Sequence, residues 1–157
     1  MKFKGKSFSG PRVHFVVIPR DGEDLVFKAQ AVLDYSPFEK MFPRPEPPMI
    51  RRPRQAPVPD LEDKEYVDSL DEWSSKRIHW MILQSLKATE DLEWETVDYS
   101  NPETWGNYEK ELTDAGFSPV EVASLINAVL DACGLNQTKI DDATTRFLAL
   151  RDQSPEE

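Results

Sequence analysis

The sequence predicts an α+β chain that is mainly α: an N-terminal β-hairpin, an extended proline-rich strap, then a helical body of three to five helices. Three observations predict it. Two β-branched and aromatic runs flank an Asp-Gly turn near the N-terminus. A tract holding seven prolines interrupts the chain at 43–59. Beyond it, apolar residues recur every three or four positions as far as Leu150.

Residues 1–11 are basic, contain Gly5, Gly10 and Pro11, and read as a flexible arm. Val13–Ile18 (VHFVVI) and Leu25–Val32 (LVFKAQAV) enclose Pro19-Arg20-Asp21-Gly22-Glu23, which is turn chemistry, and the second run puts Leu25, Phe27, Ala29 and Ala31 on one face. A lone hairpin is marginal in water, so this one requires a docking surface or a sheet partner, in its own chain or another subunit. Ser36-Pro37-Phe38-Glu39 has a capping residue, a proline at the first helical position and a glutamate three after the cap, predicting a short helix over roughly 37–42. The tract PRPEPPMIRRPRQAPVP (43–59) follows; it cannot be helix or central strand, because proline lacks the N–H and clashes with a helical turn.

Leu61–Thr89 is a long helical pattern with Asp60 as its predicted cap, a polar first half and a wider apolar face around Trp80 and Leu83. Leu92–Val97 (LEWETV) alternates and reads as a short strand or an extended crossing. A further helix is predicted from Asn101-Pro102-Glu103 to Ala115, stopped by Gly116. Ser118-Pro119-Val120-Glu121 opens the next, with Val122, Leu125, Ile126, Val129, Leu130 and Cys133 on one face and Gly134 at its end. Asn136 caps a last helix carrying Ile140, Ala143, Phe147 and Leu150. The predicted organisation is a basic arm, hairpin and short helix (1–42), a proline/arginine-rich linker or strap (43–59), an acidic helical domain (60–151) and a disordered tail (152–157).

Charge divides at the tract. Residues 1–59 hold eleven Lys/Arg and six Asp/Glu, and residues 60–157 hold eight and twenty-three, so an arm of +5 precedes a body of −15. An acidic chain is a poor nucleic-acid binder, since neutralising phosphates drives that affinity. The single cysteine, Cys133, allows no intramolecular disulfide, which suits a reducing compartment. The N-terminus lacks the apolar run of a signal peptide, and no apolar stretch is long enough to span a membrane, so the reading is a soluble intracellular protein without membrane partners.

No catalytic, cofactor or metal motif is present. His14 and His79 are far apart and match neither HExxH nor CxxC spacing, the six glycines fall at turns and caps rather than in a phosphate loop, and the paired carboxylates are what 29 acidic residues produce by chance. The chain therefore reads as a non-enzyme with no cofactor. The candidate partner-binding residues are Arg44, Met49, Ile50, Arg51, Arg52 and Arg54, because an extended strap with arginines can lie along an acidic surface, and Trp73, which falls in the more polar half of the long helix. Core packing is the competing reading of Trp73. Self-association is expected through the hairpin edge or the long-helix face.

With these residues in view, the chain resembles the tail assembly chaperones of tailed bacteriophages. The segments that carry the resemblance are GEDLVFKAQAVLDYSPFEKMFPRPEPP (22–48), WMILQSLKATEDLEWETVDYSNPETWGNYEKELTDAGFSPVEVASLINAVLDACGL (80–135) and KIDDATTRFLAL (139–150). The resemblance is one of layout, since no catalytic motif defines the family and no client-binding residue carries over by motif. It implies a late viral protein in the host cell cytoplasm. Such a protein binds the tape measure protein, keeps it soluble, helps recruit tail tube subunits, is usually absent from the finished virion, and often has a frameshifted longer form. The alternative is a structural virion protein, a tail or capsid accessory subunit whose hairpin and strap contact neighbouring subunits.

Overall fold

The computed structural model describes residues 1–152, with side chains as far as Arg146 and that of Ala149. The predicted α+β, mainly helical fold is what the chain adopts, with an N-terminal antiparallel hairpin and five α-helices. The order is β1 (Lys2–Phe3), β2 (Lys6–Ser7), β3 (Val13–Ile18), β4 (Leu25–Gln30), α1 (Ser36–Met41), β5 (Met49–Ile50), β6 (Val58–Pro59), α2 (Lys64–Leu86), a 3₁₀ turn (Pro102–Thr104), α3 (Asn107–Asp114), α4 (Pro119–Ala132) and α5 (Gln137–Asp152).

β3 and β4 pair in an unbroken antiparallel register from Val13↔Gln30 to Ile18↔Leu25. Because side chains alternate across a strand, Ile18, Phe27 and Ala29 share the inner face and are buried. That face packs on α4 and α2 of the same chain, so the hairpin's docking surface is its own body. Ala29, with no exposed area, lets the helices approach the strand closely. Burying side chains such as Ile18 and Phe27 stabilises by roughly 1.5–3 kcal/mol each. Two polar ties add to this packing. Arg20 forms a two-pronged ion pair with Glu121 at 2.7 and 3.3 Å, and the Thr89 hydroxyl accepts from Lys28 N–H at 2.9 Å while donating to Lys28 C=O at 3.3 Å.

The core gathers around the second half of α2, where Trp80, Met81, Ile82, Leu83 and Leu86 are all buried, as the widening apolar face predicts. Phe38 of α1, fully buried, sits among the rings of Phe42, Trp73, Trp80 and Trp105 at centroid distances of 5.5–6.4 Å. α4 presents Leu125, Ala128, Val129 and Ala132 to the core. Its start is the predicted capping box: Ser118 Oγ accepts from Glu121 N–H, and Glu121 Oε2 accepts from Ser118 N–H.

Several expectations change in detail. The basic arm, read as flexible, carries a small hairpin: β1 and β2 pair around Lys4 (φ 47°) and Gly5 (φ 78°), the two left-handed residues a tight hairpin turn requires. Ser36 does not cap α1 with its side chain. Its N–H instead donates to Asp34, and the cap position is Tyr35. α2 begins at Lys64 under an Asp63 cap rather than at 61 under Asp60, because Val58–Pro59 form β6 and Asp60 N–H closes that ladder onto Pro48 C=O at 2.7 Å. The helix expected over 101–115 is broken into the 3₁₀ turn and α3, with Gly106 at the junction against the His79 ring, where a Cβ would lie 3.6 Å from the imidazole. Residues 92–97, read as a short strand or an extended crossing, form no strand and cross the surface with a bend at Glu95 and Thr96. On α5, Ile140 and Ala143 are exposed. The side chains of Phe147 and Leu150 lie outside the described residues, as does the expected tail beyond Asp152, itself the last residue of α5.

Candidate partner-binding groove

The crossing over residues 88–97 lies beside the tip of the β3–β4 hairpin and makes the most distinctive surface of the chain. Its path is fixed by Glu111 of α3, whose carboxylate accepts from the backbone N–H of Glu95 (2.8 Å) and Thr96 (2.6 Å) and from the Thr96 hydroxyl (2.6 Å). Burial pushes the Glu111 carboxyl up, but these hydrogen bonds outweigh it and hold it below the usual carboxylate range. Once the backbone is pinned, the alternation of LEWET turns Leu92 and Trp94 inward and leaves Glu93 and Glu95 exposed. The Trp94 ring meets Tyr108 edge-on at 6.2 Å.

Two adjoining clefts result, of about 500 and 480 Å³, both lined by Leu25, Phe27 and Leu92. The first extends to Phe15 and Val26, and the second to Trp94, Leu112 and Phe117. Glu23, Asp24, Glu90 and Asp91 border the first, and Glu93, Glu95, Glu111 and Asp114 the second; among the described residues Lys28 is the sole basic one lining either. The groove thus has an apolar floor and a carboxylate rim. That pairing complements an amphipathic helix whose apolar stripe is flanked by Lys and Arg.

The sequence-predicted residues fall elsewhere, in two groups. Trp73 is half-buried, donates its indole N–H to Phe42 C=O at 2.8 Å and packs on Phe38. Arg44 lies over its ring at 5.9 Å, and Arg77 also stacks there, at 5.7 Å. These three residues line a separate cleft of about 510 Å³ with Glu39 and Leu70. Met49 and Ile50 instead form β5, which pairs with β6 and folds the strap back on itself. Arg51, Arg52 and Arg54 are exposed in the connecting loop, Arg54 with a left-handed φ of 62°, and none forms an ion pair among the described residues.

A further cleft, of about 820 Å³, runs between Arg12 and the α4–α5 junction and is lined by charges of both signs, with Lys139 paired to Asp131. Among the described residues no group of three His, Cys, Asp or Glu side chains is arranged to hold a metal. His14 and His79 are half-buried on different elements, and Cys133, also half-buried, ends α4. No described helix is long and apolar enough to cross a membrane.

Comparison with protein-family models, curated proteins and solved structures finds no match to this chain. Sequence reasoning missed the groove because its floor comes from three distant segments. The one local signal was the alternation of Leu92 and Trp94 with Glu93 and Glu95.

Proposed function

We propose that the protein is a non-enzymatic tail assembly chaperone of a tailed bacteriophage, acting in the host cytoplasm on the tape measure protein and helping to recruit tail tube subunits. The observation that carries this reading is the groove: an apolar floor of Leu25, Leu92 and Trp94 inside a rim of carboxylates. A long helical client exposes apolar stripes that aggregate in water, and such a groove covers one stripe while the rim pairs with its flanking cations. The net charge of −10 keeps the loaded chaperone dispersed. The resemblance of residues 22–48, 80–135 and 139–150 to the chaperone family supplies the identity of the client.

Co-expression with the tape measure protein tests the proposal. The expected result is a soluble complex that weakens with salt and is lost when Glu93, Glu95 and Asp114, all exposed, are changed together to lysine. A complex indifferent to those three changes sinks the groove as the client site. The exposed arginine loop at 51–54 favours a second reading, a structural virion subunit, and stoichiometric presence in purified virions decides for it against the chaperone.

A further inference from the structure

A sheet edge is a row of unpaired N–H and C=O groups, and proteins guard such edges with Lys, Pro, bulges or a covering group. Two of the three ladders here are guarded. β1–β2 carries Lys2 and Lys6, and β6 carries Pro59. Within the central hairpin the outer edge of β4 is occupied by the Thr89 hydroxyl on Lys28. Among the described residues β3 has no such device: VHFVVI contains no Lys or Pro, and its register is unbulged.

The phase of the ladder fixes which β3 groups face outward. Lys28 turns its N–H and C=O away from β3 toward Thr89, so Lys28 and Phe15 are a non-hydrogen-bonded pair. The bond from Ala31 N–H to Arg12 C=O agrees with that phase. By alternation, Val13, Phe15 and Val17 direct their backbone groups off the open edge, and among the described residues no hydrogen bond reaches them there. The side chains of Phe15 and Val17 are 66% and 54% exposed.

We propose that a second copy of this chain occupies this edge, β3 pairing antiparallel with its counterpart about a two-fold axis at Phe15. In that register Val13 faces Val17 of the other copy, Phe15 faces itself, and the outward N–H and C=O groups of all three are satisfied. Two features select a copy of the same strand. The segment 13–18 has no Lys, Arg, Asp or Glu, and the register sets Arg12 against Ile18, so no like charges meet. Along the strand the next cation, Arg20, is already neutralised by Glu121, and Lys28, opposite Phe15 in the internal ladder, stays one strand back from the seam in each copy. The result is a four-stranded sheet in the order β4–β3–β3–β4 whose outer apolar row, including Val17 and Val26, continues across both copies. The hydrogen-bonding edge of the seam lies on the side of the hairpin away from Thr89; Phe15 also borders the first cleft, so Val17, which lines neither cleft, is the position that separates loss of the dimer from loss of a client.

Analytical ultracentrifugation of the full chain tests this. The wild type is expected to be a dimer. Val17→Pro removes an outward N–H without breaking any bond of the internal ladder, and is expected to be monomeric with an unchanged circular dichroism spectrum. Phe15→Lys and Phe15→Glu, which place like charges at the axis, are each expected to be monomeric and to form a heterodimer when mixed. A monomeric wild type, a dimer that survives Val17→Pro and both charge variants, or a mixture that stays monomeric overturns the proposal.

Discussion

The hairpins β3–β4 and β5–β6 are built on the same antiparallel pattern and stand in opposite relations to the body. β3–β4 has six-residue strands and turns Ile18, Phe27 and Ala29 into the core. β5–β6 has two-residue strands, Met49 and Val58 exposed, Ile50 only half-buried and an arginine loop in water. Two side chains from distant elements, Glu121 and Thr89, bind the first. The closing bond of the second, Asp60 N–H to Pro48 C=O, is local. The contrast teaches that a ladder alone does not integrate a hairpin; an apolar face and long-range polar ties do.

The sharpest way to break the comparison is to hollow out the integrated hairpin. Phe27 is buried and meets Phe117 edge-on at 5.8 Å, so Phe27→Ala is expected to cost about 3–5 kcal/mol in chemical denaturation. A loss under about 1 kcal/mol means the hairpin is no more part of the cooperative core than β5–β6 is.

A smaller effect is expected from acid. Hydrogen bonds from Arg20 and Ser118 lower the Glu121 carboxyl from its ordinary 4.5 to about 2. A carboxyl depressed in the folded state contributes stability in full above pH 4.5 and loses it as pH falls toward 2. Denaturation midpoints should therefore fall across that window. Glu121→Gln should already be weaker at neutral pH and should flatten the acid limb; an unaltered limb shows that the Arg20 tie does not hold the hairpin.

The smallest effect belongs to the exposed loop. Replacing Arg51, Arg52 and Arg54 together with alanine is expected to leave stability within about 0.5 kcal/mol. A larger loss means the strap is docked on acidic surface, and the two hairpins then differ less than their burial indicates.

How much of this was legible in the sequence follows from how far each cause extends along the chain. β3–β4 and α4 were legible because period-two alternation and the Ser118–Glu121 box are local signals. The break between the 3₁₀ turn and α3 was not, since it falls at Trp105–Gly106, where buried Trp105 packs on Phe38 and Phe42, more than 60 positions away in sequence. The fold-back of the strap was hidden because its ladder joins only Met49–Ile50 to Val58–Pro59. For the site, the arginines and Trp73 stood out as residue types. The acidic residues that rim the groove were indistinguishable from the rest of an acidic chain until folding set Glu93, Glu95 and Asp114 around one floor.

The ion pair of Arg20 with Glu121 joins residues 101 positions apart, and β3 rests on α4, whose first turn holds Glu121. During synthesis the hairpin emerges first and its floor last. At about 5–20 residues per second, α2 becomes available to β4 first, and the part of the inner face that α4 covers waits for on the order of 5–20 s. For that interval the nascent chain offers apolar surface not yet covered by α4 and an open strand edge, so a chain ended before residue 119 is expected to aggregate where the full chain does not. The hairpin's burial is thus timed by translation, and the last helix to pack on it acts as the release from that exposed stage.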